Sequence, residues 1–125
     1  MRAVLALDVG TTAIKAALFD LSGRPHAIDA CEYDLRKPAP DMVELDAEVY
    51  WSAAKSVIHA VLRATHLPPS AIAAVGVTSQ GETLIVTDRN GRPLRPAIVW
   101  LDNRSREEAE ALSACFPLDT IYRLT

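Results

Sequence analysis

The run Ala3-Val4-Leu5-Ala6-Leu7-Asp8-Val9 is apolar at every position but Asp8, and Gly10-Thr11-Thr12 ends it. An aliphatic segment of this length, rich in branched side chains, is expected as a central strand covered on both faces. A chain built around such a strand needs a sheet and flanking helices, which predicts an α/β fold.

The rest of the sequence supplies those elements. The turn at Gly10-Thr11-Thr12 leads to a second strand over Ala13 to Asp20. Leu21-Ser22-Gly23-Arg24-Pro25 breaks the chain before a third strand around His26 to Tyr33. These three read as an antiparallel meander. After Lys37-Pro38-Ala39-Pro40, Asp46 is placed to cap a helix in which Tyr50, Ala54, Val57, Ile58, Val61 and Leu62 form one apolar stripe. Lys55, His59 and Arg63 fall outside it, and Pro68-Pro69 closes the helix. A crossover from the meander through this helix to the apolar strand Ile72 to Thr78 predicts a parallel neighbour, so the sheet is mixed. Leu84 to Thr87, the turn Asp88-Arg89-Asn90-Gly91 and the run Ala97 to Trp100 read as a hairpin, with Asn90-Gly91 suited to positive φ. A last helix is expected from about Asn103 to Ala114.

At 125 residues, half of them apolar, the chain suits one domain with a sizeable core. Thirteen Lys and Arg against sixteen Asp and Glu give a net charge of -3, and no basic run favours nucleic acid or anionic lipid as a partner. The apolar run after Met1-Arg2 is too short for a secretory leader, and no stretch reaches membrane-spanning length. Cys31 and Cys115 lie far apart without a metal-ligand pattern, as expected of reduced thiols in a cytoplasmic protein.

Asp8-Val9-Gly10-Thr11-Thr12 puts a carboxylate at a strand end, then a glycine that lets backbone approach a ligand, then two hydroxyls. Such a turn can aim amides at phosphate oxygens while the carboxylate orients hydrated magnesium, and Lys15 on the next strand can add charge. Neither a Walker A sequence nor a dinucleotide glycine pattern is present. An ordinary β-turn with a capping aspartate fits the same five residues. Further on, Ser79-Gln80-Gly81-Glu82-Thr83 follows an apolar strand, where an amide and a carboxylate can hydrogen-bond hydroxyl groups.

Asp8 to Lys15, with Leu18-Phe19-Asp20 after it, resembles the first phosphate motif of the sugar kinase, Hsp70 and actin superfamily, and in particular its FGGY carbohydrate kinase branch. Three more segments fit that branch in order: Val43-Glu44-Leu45-Asp46 with Trp51, although Met42 stands where an aromatic is common; Gly76 to Gln80; and Asp88 to Arg104, with its Trp100-Leu101-Asp102-Asn103-Arg104 stretch. The resemblance implies a ribonuclease H-like (actin-like ATPase) fold, a mixed sheet with flanking helices. It is incomplete here, with residues 1–125 as the N-terminal portion of the first kinase domain. It further implies ATP and Mg2+ as cofactors and a sugar or polyol as substrate. Gly10, Thr11, Thr12 and Lys15 would bind ATP phosphates, Asp8 would orient the metal, and Gln80, Glu82, Trp100 and Asp102 would bind substrate.

Glycerol kinases carry Gln-Arg-Glu-Thr where this chain has Gln80-Gly81-Glu82-Thr83, so Glu82 carries over and Gly81 does not. The Gln-Met-His-Gly of xylulose kinases is absent too. The ordinary readings are a packing residue for Trp100 and a local ion pair for Asp102 with Arg104. No role is read for His26, His59 or His66. The general base and the adenine pocket are expected beyond Thr125, which makes the chain a fragment; homodimerisation of the full-length protein is left open. The alternatives are a nucleotide-binding switch of the same superfamily and a non-catalytic domain that binds a protein partner.

Overall fold

A computed structural model describes residues 2–124. The first apolar run becomes β1 (Ala3–Val9), paired antiparallel with β2 (Ala13–Asp20) from Ala3 opposite Asp20 to Val9 opposite Ile14. The third strand, β3 (Pro25–Glu32), pairs antiparallel with β2, and β5 (Ile72–Ser79) lies parallel to β1 on its other side. The order β3-β2-β1-β5 is the expected mixed sheet. The link between β2 and β3 turns on Asp20, whose Oδ1 accepts from the amides of Ser22 and Arg24, with Gly23 at φ 85°.

The helix α1 (Ala47–Thr65) starts where expected: Asp46 is extended, and its Oδ1 accepts from the amide of Glu48 at 3.0 Å. His66, in the left-handed region at φ 53°, ends it, and its amide donates to the Arg63 carbonyl. The stop is therefore His66 rather than the proline pair, of which Pro69 opens a short 3-10 turn, Pro69–Ala71. Tyr50, Ala53, Ala54, Val57 and Val61 of α1 form one buried cluster with Leu5, Ile14, Ala16 and Leu18 of the sheet. Val57 is fully buried there.

Between α1 and the last helices the chain is less regular than expected. A two-residue strand β4 (Glu44–Leu45), which the sequence pattern does not suggest, pairs antiparallel with β6 (Ala97–Ile98) to make a second small sheet. The expected hairpin reduces to isolated bridges, Leu84 with Ile98 and Thr87 with Pro93. Its turn is held by Asp88 Oδ1, which accepts from the amides of Asn90 and Arg92. Of the Asn90-Gly91 pair, Gly91 alone takes positive φ, at 78°. The next helix, α2 (Arg106–Cys115), begins after Asn103, because residues 102–104 are engaged in the side-chain bonds described below; α3 (Leu118–Leu124) follows.

The expectation that β1 is covered on both faces holds for one face. On the α1 side the small second sheet buries Val43, Leu45, Ala97 and Val99 in the same core. On the other side the sheet forms the floor of an open groove of about 460 Å3, lined among others by Ala6, Asp8, Lys15, Phe19, Ile28 and Thr78. β5 is exposed along nearly its whole length, Val75 and Val77 included.

Candidate functional site

The sheet register gathers the first set of residues. Asp8 lies opposite Lys15 on β2 and beside Thr78 on β5. Partners directly across a ladder point to the same face, so carboxylate, ammonium and hydroxyl share the open face at one end of the groove. Among the described residues nothing hydrogen-bonds to or ion-pairs with the side chains of Asp8 or Lys15. No group of three or more His, Cys, Asp or Glu side chains is arranged to hold a metal ion among the described residues. A single open carboxylate fits a magnesium ion that keeps most of its waters and takes its remaining ligands from phosphates, and does not fit an all-protein cage.

The turn beyond β1 is tight. The Gly10 amide donates to the Ala13 carbonyl at 3.0 Å, and a Cβ at Gly10 would lie 2.8 Å from that oxygen. Any larger residue here would force the turn open. The Thr12 and Gly10 carbonyls are both taken by Tyr33, through its amide at 3.0 Å and its phenol at 2.6 Å.

The second segment meets the first at two places. Gln80 donates its amide to the Val9 carbonyl at 2.9 Å and its Nε2 to the Tyr50 hydroxyl at 3.0 Å. Trp100 donates its indole Nε1 to Thr11 Oγ1 at 2.9 Å, and its amide donates to Thr83 Oγ1 at 3.3 Å. With its ring half exposed, Trp100 is tied to the turn at one edge and open on the rest. Glu82 is exposed and sits in a three-residue γ-turn, with the Thr83 amide donating to the Gly81 carbonyl at 2.8 Å and φ of 62° at Glu82. Around Gly81 no heavy atom lies within 4 Å of a Cβ position, so packing does not demand a glycine there.

Asp102 is placed differently from the others. Its side chain is 3% exposed; Oδ2 accepts from the Val43 amide at 2.6 Å, and Arg104 grips both oxygens, Nε on Oδ1 and Nη2 on Oδ2, each at 2.7 Å. Arg104 Nη2 also donates to Glu44 Oε1 at 2.8 Å, which Arg95 meets at 2.9 Å. The Arg104 guanidinium, with the Val43 amide, holds the Asp102 carboxyl well below the usual carboxylate range against the opposing effect of burial. Glu44 is lowered as well, chiefly by Arg104. The ordinary reading of Asp102 with Arg104 as a local ion pair thus understates a bidentate clamp that joins the Trp100 segment to β4.

Tyr33 and Tyr50 carry no motif that marks them. They pack edge to face, ring centres 5.4 Å apart at 87°, and burial first, with neighbouring Tyr50, Asp8 and Cys31, pushes the Tyr33 phenol up to about 12. Trp51 lies on the outer side of α1 with Lys55 over its ring at 5.6 Å, away from these residues.

A mixed sheet opening with a β1–β2 turn of this kind, crossed by α1 to a parallel β5, is the start of the actin-like ATPase fold as sugar kinases carry it. Within that class the chain belongs to the FGGY family of carbohydrate kinases, whose N-terminal domain it matches over residues 3–125. It is 41% identical over 112 residues to a glycerol kinase of Herminiimonas arsenicoxydans, covering 89% of this chain and 22% of that protein. Among solved structures it resembles a xyloylose (xylulose) kinase of Brucella ovis, with TM-score 0.88, 33% identity, and 98% of this chain and 25% of that one covered. The glycerol kinase of Plasmodium falciparum with ADP matches with TM-score 0.85 and 25% identity, over 97% of this chain and 24% of that one. The chain spans about a fifth of the length of the curated relatives it matches.

Proposed function

We propose that the protein carrying this chain is an ATP-dependent kinase that transfers the γ-phosphate to a hydroxyl of a sugar or polyol, and that residues 1–125 form the N-terminal portion of its first domain. One observation carries the reading. The indole of Trp100 is bonded to Thr11 of the β1–β2 turn, so a wall suited to a carbon skeleton stands directly against a turn suited to phosphate. A phosphate-binding switch has no use for that wall. The glycerol kinase and xylulose kinase relatives support both halves of the assignment.

In this reading Thr11 and Thr12 present amides and hydroxyls to the phosphates, Gly10, whose own amide is taken by the Ala13 carbonyl, gives the tight turn that lets them approach, and Lys15 adds positive charge from the groove face. Asp8 would orient the magnesium ion, which neutralises charge on the transferring group. Glu82 hydrogen-bonds the acceptor and Trp100 offers its open face to the carbon skeleton, whereas Gln80, expected to bind the acceptor directly, has its Nε2 on the Tyr50 hydroxyl and its Oε1 buried and so positions the segment from behind. Asp102 shapes the same wall, its clamp on Val43 and Arg104 holding the Trp100 segment in place. The proton of the attacking hydroxyl passes to a base outside this chain. Transfer of this type is mainly positioning and charge neutralisation, which suits a site assembled from backbone and a few polar groups.

The test is ADP release by the full-length protein with Mg-ATP over a panel of polyols, ketopentoses and hexoses, with Asp8→Ala alongside. Turnover on one class that disappears in the variant is expected. A folded protein without turnover on any member overturns the reading.

A further inference from the structure

The β1–β2 turn is anchored by a residue from outside it. Tyr33, just beyond β3, takes the Thr12 carbonyl with its amide and the Gly10 carbonyl with its phenol, the latter at 2.6 Å. The Gly10 carbonyl and the Thr11 N–H belong to one trans peptide, in which the two groups point in opposite directions. Holding the carbonyl inward therefore fixes the Thr11 N–H outward. Among the described residues that N–H has no hydrogen-bond partner.

We propose that Tyr33 is a positioning residue of the phosphate turn: its phenol sets the Gly10–Thr11 peptide so that the Thr11 N–H faces an anionic phosphoryl group. The inference rests on the kinase reading above and adds to it a residue that touches neither substrate. Two further observations support it. The phenol stays protonated, and so remains a donor, across the working range of pH, because burial and its neighbours push it up to about 12. Its ring is held edge to face by Tyr50, whose hydroxyl accepts from Gln80 Nε2, while the Gln80 amide donates to the Val9 carbonyl next to the turn. The tyrosine pair thus spans the space between the phosphate turn and the start of the hydroxyl-recognising segment.

Tyr33→Phe removes the bond to Gly10 and keeps the ring. Tyr50→Phe removes a hydroxyl of similar burial from the same cluster; it frees Gln80 Nε2 but leaves both bonds of Tyr33 to the turn carbonyls in place. In the full-length protein, calorimetry with Mg-ADP is expected to show weaker binding for Tyr33→Phe, by up to about tenfold, because the free turn is no longer pre-organised, and an unchanged constant for Tyr50→Phe. The KM for ATP should rise in Tyr33→Phe while the KM for the acceptor stays where it is. Independently of any variant, Mg-ADP should slow hydrogen exchange at the Thr11 amide of the wild type. Wild-type affinity in Tyr33→Phe, equal weakening in both variants, or a Thr11 amide that gains no protection overturns the inference. Failure of the wild type to bind Mg-ADP at all is a different result, which overturns the kinase reading and this inference with it.

Discussion

Glu82 and His66 are the non-glycine residues with positive φ among those described, and they differ in kind. At His66 the left-handed conformation ends a helix, a common use. At Glu82 it closes a γ-turn in an exposed loop, a conformation that costs on the order of 1–3 kcal/mol and persists where surrounding structure imposes it. Trp100 supplies part of that constraint through the Thr83 hydroxyl. If the strained turn aims the carboxylate at an acceptor hydroxyl, Glu82→Gly should raise Tm slightly and Glu82→Gln leave it unchanged. Both should raise the acceptor KM by about tenfold or more, since a lost charged hydrogen bond has that worth; a KM unchanged in both would remove Glu82 from the site. Asp102 allows a prediction about pH. Its folded carboxyl is lowered relative to the unfolded one, so its stabilisation is complete above the unfolded value near pH ~4 and is lost as pH falls through the folded value. Tm should drop on acidification below about pH 4. Asp102→Asn should lower Tm at neutral pH and flatten that acid slope, measured by calorimetry across pH.

The best-defined element is α1, and its start was legible because one side chain does one job: Asp46 caps, and the apolar stripe follows at helical spacing. Asp46→Ala should cost about 1 kcal/mol, visible as a lower midpoint in urea with the slope unchanged. The meander and the parallel β5 were legible for a similar reason, since each is a local run of one periodicity bounded by turn residues. The 84–104 region was not. β4 and β6 are two residues each and pair across more than fifty positions of sequence, so no local period marks them. The bonds of Asp102 to Val43 and of Arg104 to Glu44 have the same long-range character, which is why Asp102 read as a residue facing substrate when its carboxylate is turned inward. In the candidate site, Asp8, Gly10, Thr11, Thr12 and Trp100 were legible as a motif. Tyr33 and Tyr50 were not, because a tyrosine near a strand end or within a helix stripe looks like core until its hydroxyl is seen to have a partner.

Taken whole, the molecule is well packed only where α1 and the small second sheet lie over the strands. α1 and the small second sheet cover β2 and part of β1, whereas β5, the groove over the opposite face and both α2 and α3 leave large apolar side chains open, among them Val75, Val77, Leu112, Phe116 and Leu124. Patches of this extent in soluble proteins usually mark surfaces that something else covers. The chain spans about a fifth of its curated relatives' length, and we propose that further residues of the same protein, folding against β5, are the cover. That idea separates two kinds of substitution. Val57→Ala cuts into a core complete within these residues and should cost about 2 kcal/mol both in the isolated segment and in the full-length protein. Val77→Ser acts at a position 65% exposed here, so it should be nearly neutral in the segment. In the full-length protein it should cost about 1.5–3 kcal/mol, the transfer energy of a buried valine side chain. Urea denaturation of the four proteins reads the difference. If Val77→Ser is neutral in both contexts, β5 stays uncovered at Val77 in the full-length protein too, and the proposed cover is wrong.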